Sequence, residues 1–211
     1  MPRRAHPDLR RRPPRREPRR RILVVCEGRV TEPRYFRALR SEYRNALVEI
    51  EIDDRGGTPK TLVERAAERK REAEREAKSQ RDEFLLYDEV WCVFDIDDHP
   101  KLADARQQAR DNDILLAVSN PCFELWALLH FQDQAAYIER QKVRSRLKKH
   151  LSDYNKELPF DRLRPQYDHA VRRARELEDR CERDGCPGAN PSTGVHRLSE
   201  RIRIEGEGVR R

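Results

Sequence analysis

Two apolar runs, each ending in carboxylates, constrain this chain more than any other feature. The first is Ile22-Leu23-Val24-Val25-Cys26, followed by Glu27-Gly28-Arg29-Val30-Thr31-Glu32. The second is Val90-Trp91-Cys92-Val93-Phe94, followed by Asp95-Ile96-Asp97-Asp98-His99. Short continuous apolar runs bounded by charge read as strands buried on both faces, the pattern of a parallel sheet. Each run delivers its acids where a buried strand gives way to a loop. That edge is where open α/β sheets bind ligands.

The remaining signals complete an alternating order. Thr31 is a plausible N-cap and Pro33 suits the first turn of the helix that follows. Residues 47–52 alternate and read as a second strand. After Gly56-Gly57-Thr58-Pro59-Lys60 comes a helix of about twenty residues, with Leu62, Val63, Ala66, Ala67 and Ala73 as its inner side. Residues 89–94 form the third strand, 101–112 a helix and 114–118 the fourth strand. Ser119-Asn120-Pro121 is expected to cap a helix holding Phe123, Leu125, Trp126, Leu128, Leu129 and Phe131, apolar on most sides and therefore buried. Strands alternating with helices imply an α/β fold, a parallel sheet with helices on both faces. Residues 134–185 read as a mostly helical, charged stretch broken at Pro159 and Pro165. Asn190-Pro191-Ser192-Thr193 opens a last helix through about Ile202, with Asn190, Ser192 and His196 favoured as a capping cluster over a phosphate contact. The folded domain spans 21–204, and 205–211 reads as a flexible tail.

Charge separates the chain into two parts. Residues 1–21 carry ten Arg against Asp8 and Glu17, a net of +8, whereas the whole chain is formally +7. The body is thus near neutral, and the basic excess lies in an Arg/Pro-rich arm over 1–20, read as disordered. Such an arm is either a nucleic-acid-binding device or a solubilising tail. With 40% charged residues and a mean hydropathy of −1.05, the chain has no apolar run long enough for a membrane span. The arm lacks the apolar centre of a signal peptide, so a cytoplasmic protein is expected. Five cysteines without framework spacing read as free thiols. Cys181 and Cys186 near His196 match no standard zinc spacing.

Carboxylate oxygens are hard ligands suited to Mg²⁺ or Mn²⁺. In Asp95-Ile96-Asp97, alternate residues of an extended segment point the same way, and their mutual repulsion is relieved by a cation. Glu27, at the end of the first run, precedes a glycine that lets substrate approach the backbone. Glu32 and Glu124 each fall in a first helical turn, where a carboxylate interacts with the helix dipole or serves as a metal ligand. Arg29, Arg34 and Lys60 are candidates for phosphate, His99 for metal or proton transfer, and Asn120 and His196 for supporting roles.

Four ordered blocks carry a resemblance. They are Cys26-Glu27-Gly28-x-x-Thr31-Glu32-Pro33-x-Tyr35-Phe36, Val93-Phe94-Asp95-x-Asp97-x-His99-Pro100, Ser119-Asn120-Pro121-Cys122-Phe123-Glu124-Leu125-Trp126 and Asn190-Pro191-Ser192-Thr193-x-Val195-His196. Together they resemble the RloB family, a group with a Toprim-like fold related to OLD-type nucleases. The resemblance implies that Glu27 is the catalytic glutamate and Asp95/Asp97 the metal-binding pair. It makes Glu32 the candidate for the further acid of OLD-type nucleases, with one more residue between the two acids than the usual form. It also implies a setting in restriction-modification and phage-defence loci beside an RloA-type ATPase. The expectation is a metal-dependent nuclease acting on DNA or RNA in a phage-defence (abortive-infection-like) system. The alternative is a non-catalytic regulatory subunit that binds nucleic acid or the ATPase.

Overall fold

The computed structural model describes residues 20–44, 47–52, 58–96 and 102–207. Five strands form one sheet: β1 (Ile22–Cys26), β2 (Val48–Ile52), β3 (Glu89–Asp95), β4 (Leu115–Asn120) and β5 (Ser192–Thr193). Their spatial order is β2-β1-β3-β4-β5. The first four run parallel, as the alternation predicts, and β5 is antiparallel to β4. The helices are α1 (Thr31–Glu42), α2 (Pro59–Gln80), α3 (Leu102–Asp111), α4 (Glu124–Leu129), α5 (Arg140–His150), α6 (Phe160–Leu163), α7 (Tyr167–Arg183) and α8 (Val195–Glu207).

The period-two alternation of strand side chains divides the core into two layers. Leu23 and Val25 of β1, with Val90, Cys92 and Phe94 of β3, pack under α2 and α3. Ile22, Val24 and Cys26, with Trp91 and Val93, face the larger layer built from α1, α4, α5, α7 and α8. Tyr35 sits at the centre of that layer, with the rings of Phe36, Phe123, Trp126 and Phe160 at 5.3–6.4 Å in edge-on contact. Every residue of α4 is buried, as its apolar composition requires.

The charged stretch 134–185 belongs to the core on one side. Val143 and Leu147 of α5, and Tyr167, Ala170, Val171, Ala174 and Leu177 of α7, form buried rows at helical spacing. A buried Val or Leu is worth roughly 1.5–3 kcal/mol. An exposed ion pair is worth about 0–1 kcal/mol. The sparse apolar row, not the abundant charge, therefore docks α5 onto α4.

Several local expectations are corrected. Ser192 and Thr193 form β5 instead of opening a helix. Thr193 lies opposite Ser119, and their hydroxyls meet at 2.9 Å. Thr31 is inside α1 rather than its cap, and its Oγ1 donates to the Lys156 carbonyl at 2.9 Å. Asn120 ends β4 and caps nothing; its Nδ2 donates to the Gly188 carbonyl at 2.9 Å. α8 continues through Glu207, into the stretch read as a tail. Of the expected arm, Arg20 is described and pairs with Glu89 at 2.9 Å, while 1–19 lie outside the described residues, as do 208–211. Cys26, Cys92, Cys122 and Cys181 are buried free thiols and Cys186 is an exposed one.

Asn190 is not a cap either. Its side chain brackets residue 138, accepting from the Ile138 N–H at 3.1 Å and donating to the Ile138 carbonyl at 2.9 Å. These two bonds tie the segment entering α5 to the segment entering β5. Asn190→Ala is expected to lower stability by about 1–3 kcal/mol, the cost of stranding partly buried backbone groups. Urea denaturation measures it, and an unchanged midpoint would show that water replaces the amide.

Candidate functional site

The strand order reverses at β1. The chain passes outward from β1 to β2, then crosses back over β1 to β3, so the C-terminal ends of β1 and β3 flank a switch point. Glu27 lies directly beyond β1, and its N–H donates to the Val93 carbonyl at 3.0 Å, extending the ladder by one residue. Asp95 ends β3 opposite Ser119. The next N–H, of Ile96, donates to the Ser119 carbonyl at 2.8 Å. Backbone pairing thus holds both acids at the sheet edge.

A cleft of about 280 Å³ opens there. Its walls bring Gly28, Arg29 and Glu32 together with Asp95, Glu124, Arg144 and Lys156. Three acids from separate parts of the sequence, Glu32, Asp95 and Glu124, therefore share one space. Glu27 stands close enough for its charge to act on Glu32.

Glu32 is 8% exposed. Burial raises its carboxyl above the ordinary carboxylate range, and the charges of Glu124 and Glu27 push the same way. Gly28 makes this placement possible, because a β-carbon at residue 28 would collide with the Glu32 carboxyl group. The glycine after Glu27 thus leaves the space that the Glu32 carboxyl occupies.

Glu124, 4% exposed, is held differently. Its Oε1 accepts from Arg144 Nε at 2.7 Å and from the Tyr154 hydroxyl at 2.9 Å. Burial alone would raise its carboxyl, but its own backbone N–H, the Arg144 charge and the Cys122 thiol bring it below the usual range. Asp95 has Arg140 Nη2 at 3.7 Å from its Oδ2, and the same Arg140 nitrogen donates to the Pro121 carbonyl at 3.1 Å. Two arginines one helical turn apart on α5 therefore face two of the acids. Among the described residues, no three His, Cys, Asp or Glu side chains already converge into a metal cage. The acids are instead interleaved with guanidinium groups.

Not every residue singled out in the sequence joins this cleft. Asp97 and His99 lie outside the described residues. Arg29 lines the cleft, whereas Arg34 pairs with Glu157. Lys60 is in the first turn of α2, which packs on the other face of the sheet. His196 is buried, with Nδ1 3.0 Å from the Thr193 carbonyl and Nε2 3.3 Å from Glu178. Neither it nor Asn120 lines the cleft. Arg140, Arg144, Tyr154 and Lys156 are the residues the sequence reading missed. The signal was present in Arg140 and Arg144, spaced i,i+4 beside the apolar pair Val143 and Leu147.

A larger cleft of about 380 Å³ runs along the open edge of β4, lined by Leu115, Leu116, Val118, Arg106, Arg110 and Arg197 among others. Its acids, Glu178 and Glu182, come from α7, and Glu178 is engaged by His196 and Arg197. It lacks the sheet-edge carboxylates.

The raised Glu32 carboxyl has a consequence for stability. A carboxyl whose folded value lies above its unfolded one stabilises the fold when protonated, and that contribution is lost as pH rises through the folded value. Glu32→Gln is therefore expected to melt higher than wild type at neutral pH, with the difference shrinking toward acid pH. Thermal melts across pH 4–8 test this. A variant less stable at neutral pH would mean that ionised Glu32 has a compensating partner.

Comparison with curated proteins and with solved structures finds no significant match. The family model described as RloB-like protein matches residues 22–202, which include β1, the cleft acids and the first part of α8. The chain belongs to the RloB-like family.

Proposed function

We propose that this protein is a metal-dependent nuclease of Toprim type, serving as the effector of a bacterial phage-defence system with a separate RloA-type ATPase. One observation carries the reading. Glu32, Asp95 and Glu124 line a single cleft at the C-terminal edge of a parallel sheet, with Glu27 beside them and arginines between.

The donor set fits a hard divalent cation. Burial raises the Glu32 carboxyl first and the charges of Glu124 and Glu27 add to it, a penalty on the anion that Mg²⁺ or Mn²⁺ would offset, and all the candidate ligands are carboxylate oxygens. Glu27, Glu32 and Asp95 would hold it, with Asp97 following on the chain and the Oε2 of Glu124 as a further donor. When bound, such ions polarise a phosphodiester, lower the proton affinity of water and stabilise a leaving oxygen.

The chain's own groups have separable roles. Glu32, buried beside Glu27 and Glu124, gains most from the neutralising charge of a cation. Arg140 and Arg144 can exchange their carboxylate partners for phosphate oxygens, which guanidinium groups bind well. Tyr154 holds Glu124, which in turn orients Arg144. The buried helix α4 fixes Glu124, so the site rests on rigid elements.

Asp95→Asn is expected to abolish cleavage of plasmid DNA and structured RNA in Mg²⁺ or Mn²⁺, assayed with the partner ATPase present, while the melting curve stays cooperative. Full cleavage by the folded variant would remove Asp95 from the chemistry. A wild-type protein that binds nucleic acid but never cuts it, under either metal and with the ATPase, would favour the regulatory-subunit reading.

A further inference from the structure

Helix α5 is the most one-sidedly charged element of the described structure. Its sequence, Arg140-Gln-Lys-Val-Arg-Ser-Arg-Leu-Lys-Lys-His150, has six Lys and Arg and no Asp or Glu. The body of the protein is near neutral, so this concentration is local. With Val143 and Leu147 turned inward, the basic residues fall on two flanks. Arg140, Arg144 and Lys148 follow each other at four-residue spacing along one flank, and Lys142, Arg146 and Lys149 lie along the other.

The two flanks have different neighbours. Arg140 faces Asp95 and Arg144 binds Glu124, so the first flank begins at the acid cleft. Lys148 continues that row away from the acids and is exposed. Lys156, also exposed, stands on the cleft wall, and its carbonyl is anchored by Thr31 at the start of α1. On the second flank, Arg146 is bonded to Gln134, while Lys142 and Lys149 are exposed.

The structure assigns the Arg140–Arg144–Lys148 row and Lys156 as a track for a nucleic-acid phosphodiester backbone, leading into the carboxylate cleft. This rests on the nuclease reading and deepens it. Arg140, Arg144 and Lys148 are spaced one per helical turn on a helix docked on the core, and Lys156 follows beyond that helix on the cleft wall. They start at the acids where hydrolysis is placed, so a strand bound along them presents a phosphate to the cleft. Charge complementarity names the occupant as a polyanion, and the row's termination at hard-cation ligands selects a phosphodiester over an acidic peptide.

The test is fluorescence-anisotropy binding of the full chain to fluorescein-labelled oligothymidine and oligouridine of equal length, in EDTA across a salt series. Lys148→Gln/Lys156→Gln is expected to weaken binding and to reduce the log–log salt slope by about 1.4, the release expected from two single-strand phosphate contacts. Lys142→Gln/Lys149→Gln is expected to leave the slope within about 0.3 of wild type, being on the other flank. Loss with both probes supports a backbone track; loss with one supports the same track with a preference for that sugar. An unchanged slope in Lys148→Gln/Lys156→Gln, or an equal fall in both double variants, would overturn the assignment. Binding in EDTA does not require hydrolysis. A protein that binds along the track but never cuts therefore fails the nuclease reading alone.

Discussion

The pairing of β1 with β3 is the constraint on which the rest of this molecule depends. It places two strands distant in sequence side by side at the point where the chain reverses direction across the sheet. Because the ladder runs one residue past Cys26, through the Glu27 N–H to the Val93 carbonyl, the first acid is tied to the second strand by backbone rather than by a flexible side chain. Asp95 is fixed likewise by its opposition to Ser119. Both faces of the pair are sealed by apolar layers, so a change of register would carry buried residues to the wrong face. Packing that stabilises the fold thereby sets the spacing of the acids.

Charge balance in the cleft follows from that placement. Several carboxylates held near one another in a partly buried space cannot all be comfortable as anions. Glu124 resolves this with Arg144 and Tyr154, whereas Glu32 remains disfavoured as an anion and has its proton affinity raised. An unfavourable ionisation of this kind recurs at functional sites. Arg140 and Arg144 moderate the repulsion from a helix whose inner row is apolar and whose outer surface is basic. The stretch over 134–185 is therefore both the wall of the core and the wall of the cleft.

Much of this was legible in the sequence. The parallel strands showed as unbroken apolar runs, and α4 as a helix apolar on most sides, because full burial leaves no polar face to disguise them. Glu27, Asp95 and Asp97 stood out at strand ends and Glu32 and Glu124 at helix starts; Glu27, Glu32, Asp95 and Glu124 come together, while Asp97 lies outside the described residues. What escaped depended on long-range pairing. Ser192 and Thr193 look like a helix start because hydroxyl residues favour caps, and they become a strand only because β4 offers its edge. Asn190 likewise bonds across a sequence gap, to Ile138, which no local rule supplies. Arg144 and Tyr154 were hidden in a strongly charged segment whose few apolar residues carry the docking energy.

The central claim is that the acids at the ends of β1 and β3 form a divalent-cation site. Isothermal titration of Mg²⁺ and Mn²⁺ into wild type and into Asp95→Ala/Asp97→Ala, in parallel, tests it most directly. The account predicts saturable binding to the wild type that disappears in the folded double variant. Binding of equal affinity in both proteins would place the cation elsewhere and contradict it.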